Sequence, residues 1–204
     1  MTRFLKVAGN KNLLLSHFKI ADIVTEKAKV LDLGCGNGDL MQYLEQTKKV
    51  NAQGVEISEE AIYKCVEKGL CVLHSDIDNS LDSYPDNSFD FVILSQSMQQ
   101  VKKIDEVFKQ CLRIGKKVIV SFPNFANISL RSMLFFRGMA PVAKALPNKW
   151  NDTPNIRFLS IKDFENFCNE NNYKVIEKYF ISNSKYVHIM PNLFAQQAVF
   201  VLTK

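Results

Sequence analysis

The sequence predicts an α/β fold in which two layers of helices cover a mostly parallel β-sheet. Short runs of branched apolar residues alternate with amphipathic segments along the 204 residues. The central runs lack polar alternation, as expected for strands that are covered on both faces. No helical segment separates the last two runs, so we expect them to form a hairpin that places one antiparallel strand in the sheet.

The individual elements follow in chain order. An amphipathic segment at residues 13–24 predicts a leading helix that packs on the sheet. Helical spacing from residue 101 onward predicts a helix that ends at a left-handed Gly115, and Ser160 with Asp163 resembles a capping box at the start of a later helix. Seven apolar runs predict strands: KVLDLG (29–34), AQGVEI (52–57), CVLHS (71–75), FDFVILS (89–95), KVIVSF (117–122), KVIEKYFIS (174–182) and AVFVL (198–202).

Length and composition favour a single domain over residues 1–204, because 47% hydrophobic content suffices for one full core. No apolar run approaches the roughly 18 residues needed to cross a bilayer, and the first residues lack a signal-peptide core. We therefore expect a soluble cytoplasmic protein with no membrane partner.

Cysteine and charge patterns argue against several other classes. The five cysteines form an odd number without a CxxC pair or a Cys/His cluster, which disfavours a disulfide framework and a metal site. The net charge is +5, but the lysines are scattered rather than gathered on one helix. The sequence therefore gives no support for a nucleic-acid partner.

A long insertion follows the fifth predicted strand. Residues 123–157 contain four of the six prolines and the only tryptophan. They leave the carboxyl edge of the sheet, where open α/β folds bind their ligands. We expect this insertion to act as a lid or as a partner-binding segment.

The stretch VLDLGCGNGDL predicts a nucleotide-binding loop with Gly34, Gly36 and Gly38. A dinucleotide fingerprint needs a third glycine at position 39 or 41, and neither position has one. Asp32, just before the turn, would repel a pyrophosphate but would favour a ligand that carries an ammonium and a sulfonium group. S-adenosylmethionine (SAM) has both groups, so we expect SAM or its demethylated product S-adenosylhomocysteine.

Further candidate residues stand at the ends of the next three predicted strands. Glu56 is placed to accept hydrogen bonds from both ribose hydroxyls, although it is also compatible with an acid at a helix start. Asp76 is placed to bind the adenine amino group, or equally to belong to a surface turn. The remaining residues expected around the ligand are Ile57, Ile77 and, facing its methionine end, Ser95 and Gln96.

Together, these features resemble the class I SAM-dependent methyltransferases over residues 30–122. The resemblance implies a Rossmann-like three-layer sandwich with seven strands in the order 3-2-1-4-5-7-6, the last strand antiparallel. A closer resemblance is to the MetW family of methionine-biosynthesis proteins, through GVEI, ILSQSMQQV, SFPNF and RGMAPVAKALPNKWNDTPNIRFLSIKDFE. It implies amino-acid biosynthesis and a homoserine O-acyltransferase (MetX) as partner. Arg157 departs from it, because we expect a histidine there.

Catalytic groups are harder to find than a cofactor site. Methyl transfer mainly requires alignment of the acceptor with the sulfonium, and no residue is placed as a general base, so the sequence leaves open whether the protein is an enzyme. In the insertion, the candidates for a substrate or partner site are Asn124, Arg131, Trp150, Asp152 and Asn155, with Arg137 and Lys144 as further cations.

Three functions remain open at this point. The first is a SAM-binding, methyltransferase-like protein of methionine biosynthesis that acts with MetX. The second is an active SAM-dependent methyltransferase that modifies a small molecule. The third and weakest is an RNA methyltransferase, for which only the basic pI near 8.9 speaks.

Overall fold

The computed structural model describes residues 13–143, 146–183 and 185–204, and its central feature is one eight-stranded sheet. The strand order is β3-β2-β1-β4-β5-β8-β6-β7. The strands are β1 Lys29–Leu33, β2 Asn51–Glu56, β3 Cys71–His74, β4 Phe89–Ser95, β5 Gly115–Pro123, β6 Lys174–Ser182, β7 Lys185–Tyr186 and β8 Gln197–Thr203.

Helices cover both faces of this sheet. They are α1 Leu15–Ile23, α2 Asp39–Lys48, α3 Glu59–Glu67, α4 Ile77–Ser80, α5 Ile104–Ile114, α6 Ile128–Arg137, α7 Ile161–Glu170 and α8 Pro191–Phe194. One buried cluster joins α1, α2 and α3 to side chains such as Val30 and Ile93, and the other joins α5 and α7 to Leu31 and Leu94. Successive strand residues thus enter opposite cores, which confirms the three-layer α/β fold.

The sheet differs from the expected one by a single short strand. The first five strands run parallel, and β8 lies antiparallel between β5 and β6, as the order 3-2-1-4-5-7-6 requires. The additional strand, which was not predicted, is β7. It pairs with β6, with Ile181 opposite Tyr186 and Ser182 opposite Lys185. Two residues are too few for a recognisable period, so this edge strand left no signal in the sequence. The predicted antiparallel pairing of the last two runs is confirmed by β6 and β8, but the expected connection without a helix was wrong, because β7 and α8 lie between these strands.

Two predicted helix ends had different outcomes. The capping box of α7 is confirmed: the Ser160 hydroxyl accepts from the Asp163 N–H, and the Asp163 carboxylate accepts from the Ser160 N–H. The left-handed cap at Gly115 is wrong, because Gly115 has φ −102° and begins β5. A Cβ at this position would lie 2.7 Å from Val92 Cγ2, so close strand packing is what requires the glycine.

The insertion begins where β5 ends. Asn127 caps α6 by accepting from the Ser129 N–H, and Gly138, at φ 61°, ends the helix. The chain from residue 139 to 160 then has little regular structure in its described parts, and Lys144 lies outside the described residues. Among the described helices, none is both long and apolar enough to span a membrane.

Candidate functional site

The glycine loop joins β1 to α2 at the carboxyl edge of the sheet. Gly34, Gly36 and Gly38 all have positive φ angles, of 74°, 55° and 75°. A Cβ on Gly34 would lie 2.6 Å from Ser97 Cβ, and one on Gly38 would lie 2.4 Å from Leu70 Cδ1. A Cβ on Gly36 would meet nothing within 4 Å. The two outer glycines therefore allow close packing, whereas Gly36 faces open space.

Glu56, at the end of β2, holds this loop in place. Its Oε2 accepts from the Gly36 N–H at 2.8 Å, and its Oε1 accepts from the N–H groups of Ile57 and Ser58 at 2.8 and 2.9 Å. A carboxylate has about four acceptor positions, so three are in use. The carboxylate is thereby fixed beside the loop with capacity for about one further donor.

The glycine loop opens into a crevice of about 380 Å³ at the ends of the parallel strands. This is the position at which open α/β sheets bind ligands. Seven of the ten expected cofactor residues line it: Gly34, Gly36, Glu56, Ile57, Asp76, Ile77 and Gln96. The structure thus brings together residues from four separate strand ends.

Three expected residues do not line the crevice. Gly38 packs inward against α3 and the chain that follows it. Ser95 turns towards β5, where its hydroxyl lies 3.2 Å from the Ser121 hydroxyl. Asp32 is 1% exposed behind the loop, so a direct contact with a ligand would need the loop to open a path to it.

Asp32 is nevertheless a buried acid whose ionisation the site disfavours. Its Oδ1 is buried and has no hydrogen-bond partner among the described residues. Burial, and to a lesser extent the nearby Glu56 carboxylate, raises the pKa of Asp32 from 3.8 to about 7. A cationic group brought into the crevice would offset both effects, because it would stabilise the ionised carboxylate.

The far wall of the crevice depends on Asp78. Its carboxylate accepts from the N–H groups of Lys102 and Lys103, at 3.0 and 2.7 Å, and fixes the segment after β4. Ser97, from the same segment, donates its hydroxyl to the Leu33 carbonyl at 2.6 Å. Sequence reasoning missed several lining residues: Ser58, Ser75, Asp78, Ser97, Gln100, Val101 and Lys102. Ser58, Ser75 and Ser97 are each next in sequence to a candidate residue (Ile57, Asp76 and Gln96), which is the signal that could have found them.

A second cavity, of about 260 Å³, lies within the insertion. Trp150 and Asn155 line it, as do Phe125, Leu134 and Phe158. The other insertion candidates lie elsewhere. Arg131 is exposed and donates to the Ala126 carbonyl, and Asp152 is exposed in a turn.

Asn124 is committed to the protein itself. It is 1% exposed, and its amide donates to the carbonyls of Asn192 and Ala195 at 3.0 and 2.8 Å. Its oxygen accepts from the N–H groups of Ala126 and Ile161, at 3.1 and 3.4 Å. With all of these contacts internal, Asn124 acts as a structural link between the start of the insertion and α7–α8, and we do not assign it to a substrate.

Nucleophiles and bases are scarce around the crevice. Burial raises the pKa of the Cys35 thiol far above its usual range, which keeps it protonated, and lowers the pKa of His17 to about 4. His74 uses its Nε2 in a 3.1 Å contact with the Ile57 carbonyl. Within the part of the chain that the structure describes, no cluster of three His, Cys, Asp or Glu side chains could hold a metal ion.

Comparisons with known proteins agree with this geometry. The family model "Methionine biosynthesis protein MetW" matches residues 15–202. A "Bifunctional methionine biosynthesis protein MetXA/MetW" from Rhodopirellula baltica is 33% identical over 193 residues, which cover 88% of this chain. The matched part is 31% of that relative, so the chain spans about a third of its length.

Solved structures show the same fold. A SAM-dependent methyltransferase from Archaeoglobus fulgidus superposes with a TM-score of 0.69 at 18% identity, over 96% of this chain and 95% of that one. A SAM-dependent methyltransferase from Thermotoga maritima gives 0.65 at 20% identity, over 93% and 88%. At these identities, the likeness establishes the SAM-dependent methyltransferase fold and nothing finer.

Proposed function

Because this chain belongs to the MetW family of methionine biosynthesis proteins, we propose that it binds SAM or S-adenosylhomocysteine and acts with a homoserine O-acyltransferase (MetX). The observation that carries the cofactor part is the crevice beside the glycine loop, where residues from four strand ends meet. In this proposal, the chain binds the nucleoside and regulates the acylation of homoserine by MetX.

The charge of the crevice favours a cationic, phosphate-free nucleoside. Glu56, Asp76 and Asp78 line it and Asp32 lies behind it, whereas Lys102 is the cation of its lining. This excess of carboxylates would repel a pyrophosphate and attract the sulfonium and ammonium of SAM. The structure therefore supports SAM over a dinucleotide on electrostatic grounds.

Four of the lining residues have a proposed contact with SAM. Glu56 would accept from the ribose hydroxyls with its remaining acceptor position, and Asp76 would accept from the adenine amino group. Ile77, next to Asp76, would cover the base, and Gln96 would face the methionine end. All four residues bind or orient the ligand, and none is a nucleophile or a base suited to chemistry on a second substrate.

The acyltransferase partnership rests on chain organisation. In the Rhodopirellula baltica relative, one polypeptide is named for both MetXA and MetW, and this chain matches 31% of it. Fusion holds two modules at a high effective concentration, which favours their joint action. We propose that the same pair of activities associates without a covalent link where the modules are separate chains.

Calorimetry tests the cofactor part of the proposal. We expect SAM and S-adenosylhomocysteine to bind and NAD to give no heat. Glu56→Gln should weaken SAM binding about 10- to 100-fold, because it removes a charged acceptor worth about 1.5–3 kcal/mol. Glu67→Gln, an exposed change on α3 away from the crevice, is the matched control. Binding of NAD without binding of SAM would refute the assignment.

Acylation assays test the partnership. A MetX-type acyltransferase should be assayed on homoserine with and without this chain, and with and without SAM. We expect the chain to alter the acylation rate and SAM to modify that effect. If the acylation rate is the same with and without this chain, and the chain instead transfers the labelled methyl group of SAM to a small molecule, the chain is a methyltransferase in its own right.

A further inference from the structure

The insertion carries an unusually apolar exposed surface, which we call the insertion surface and define as Phe135, Phe136, Met139, Val142 and Trp150. These side chains are 81%, 80%, 64%, 43% and 78% exposed. The two phenylalanine rings pack edge to face with centroids 5.0 Å apart, so they present one aromatic ridge. Clustered exposure of this kind marks an interaction site rather than ordinary surface.

The insertion surface is concave beside this ridge. Trp150 also lines the 260 Å³ cavity, together with Leu134, Pro141 and Phe158. Polar groups are confined to Asn148, Thr153 and Asn155. An apolar cavity with a few polar groups at its wall accepts an apolar side chain and fixes its orientation.

Charge limits which partner can cover this surface. The insertion sequence contains five cations (Arg131, Arg137, Lys144, Lys149 and Arg157) and one anion, Asp152, which gives 5 − 1 = +4. A two-fold interface would place this charge opposite itself, so a second copy of the chain is disfavoured. A membrane would match the charge, but its fluid acyl chains offer no fixed polar group to pair with Asn148, Thr153 and Asn155 in the cavity wall. The complementary partner is a protein with apolar side chains inside an acidic rim.

We propose that the insertion surface is where the acyltransferase docks, with apolar side chains of the acyltransferase against the aromatic ridge and in the cavity. This inference rests on the proposed function, because the acyltransferase is the partner assigned there. It adds the location of the interface and the chemistry of the partner's face.

The insertion cavity is connected to the cofactor crevice through Ile156 and Arg157. The N–H groups of Ile156 and Arg157 both donate to the Gln99 carbonyl at 3.1 Å. The Arg157 guanidinium donates to the carbonyls of Val101 and Lys102. Val101 and Lys102 line the crevice, whereas Asn155 and Phe158, on either side of Arg157, line the insertion cavity. The hydrogen bonds of Arg157 thus link the insertion cavity to one wall of the crevice, which gives docking and ligand binding a route for reciprocal coupling.

Two exposed substitutions test the location. Phe136→Ser and Trp150→Ala should each weaken acyltransferase binding by about thirtyfold or more, as expected for a central aromatic anchor. Tyr63→Ser, on α3 and 68% exposed, is the matched control and should bind as the unchanged chain does. Binding is measured by calorimetry against the purified acyltransferase, and each variant is checked for unchanged SAM affinity, which shows that the fold and crevice are intact.

The outcomes distinguish a wrong docking site from a wrong partner. If the unchanged chain binds the acyltransferase and both variants bind equally well, the docking site is wrong although the partnership stands. If the unchanged chain does not bind, the partnership fails, and the docking site with it. Sedimentation that shows a dimer dissolved by Phe136→Ser would make the surface a self-interface. Binding to anionic vesicles lost in Trp150→Ala would make it a membrane surface. Either result would overturn the inference.

Discussion

The buried carboxylate of Asp32 makes the proposed binding of SAM dependent on pH. Burial and the Glu56 carboxylate raise the pKa of Asp32 to about 7 in the protein alone. The cationic end of SAM would stabilise the ionised form and lower this pKa on binding. Binding should therefore release a proton below pH 7, and the affinity for SAM should rise as the pH increases through the pKa that Asp32 has in the protein alone.

The expected size of this effect follows from the ionised fraction. With a pKa of about 7, Asp32 is about 9% ionised at pH 6 and about 76% ionised at pH 7.5. If SAM binds only the ionised state, the apparent dissociation constant scales inversely with this fraction. The affinity should increase about eightfold between the two pH values, with about half a proton released at pH 7.

Calorimetry at pH 6 and pH 7.5, in two buffers of different ionisation enthalpy, measures both quantities. Asp32→Asn is the control: it keeps the shape of the side chain but cannot ionise, so the titration of SAM itself is all that remains. We expect weaker binding and a flat profile for this variant. An equal pH dependence in the two proteins, or no proton release by the unchanged one, would refute the role given to Asp32.

Three further predictions concern stability, each measured by denaturant unfolding. The free energy of unfolding of Asp32→Asn, relative to that of the unchanged protein, should increase by about 4 kcal/mol between pH 4 and pH 8. The reason is that a raised carboxyl pKa destabilises the folded state of the unchanged protein as the pH rises from 3.8 to about 7. An equal difference at both pH values would contradict this. Gly36→Ala should lower the free energy of unfolding by about 1 kcal/mol, because its left-handed backbone disfavours alanine. Gly38→Ala should lower it further, because the new methyl group would also meet Leu70 and Cys65. Similar losses for the two variants would argue against the packing of this loop. Asn124→Ala should lower the free energy of unfolding by about 2–4 kcal/mol, because it leaves buried partners unpaired, while SAM affinity stays unchanged. A loss of SAM affinity without a loss of stability would contradict the structural role of Asn124.

Sequence reasoning located the part of the site that depends on local backbone. The glycine spacing requires a tight turn after β1, and strand periodicity puts Glu56 at the end of β2, so their meeting follows from parallel pairing of the two strands. The same logic placed Asp76 and Gln96 at neighbouring strand ends. These positions need no knowledge of long-range side-chain contacts.

Residues positioned by long-range contacts could not be predicted in this way. Lys102 lines the crevice because the Asp78 carboxylate, 24 residues earlier, binds its backbone N–H. Asn124 resembles an available polar group in the sequence, but the chain around Ala195, 71 residues later, returns to bind its amide. Neither contact leaves a periodic pattern, so Lys102 was missed and Asn124 was named as a candidate for a substrate or partner site.

Asp32 and Glu56 show why position alone does not define the charge of a site. Both acids were expected to face the ligand as carboxylates. Glu56 accepts three backbone N–H groups, which stabilise its charge in place, whereas Asp32 Oδ1 is buried without a partner. The crevice therefore combines one carboxylate held by three backbone donors with one acid whose pKa is raised to about 7. A cationic ligand is attracted by Glu56, whereas its attraction to Asp32 requires that Asp32 lose its proton. The free energy of this deprotonation is therefore part of the binding free energy.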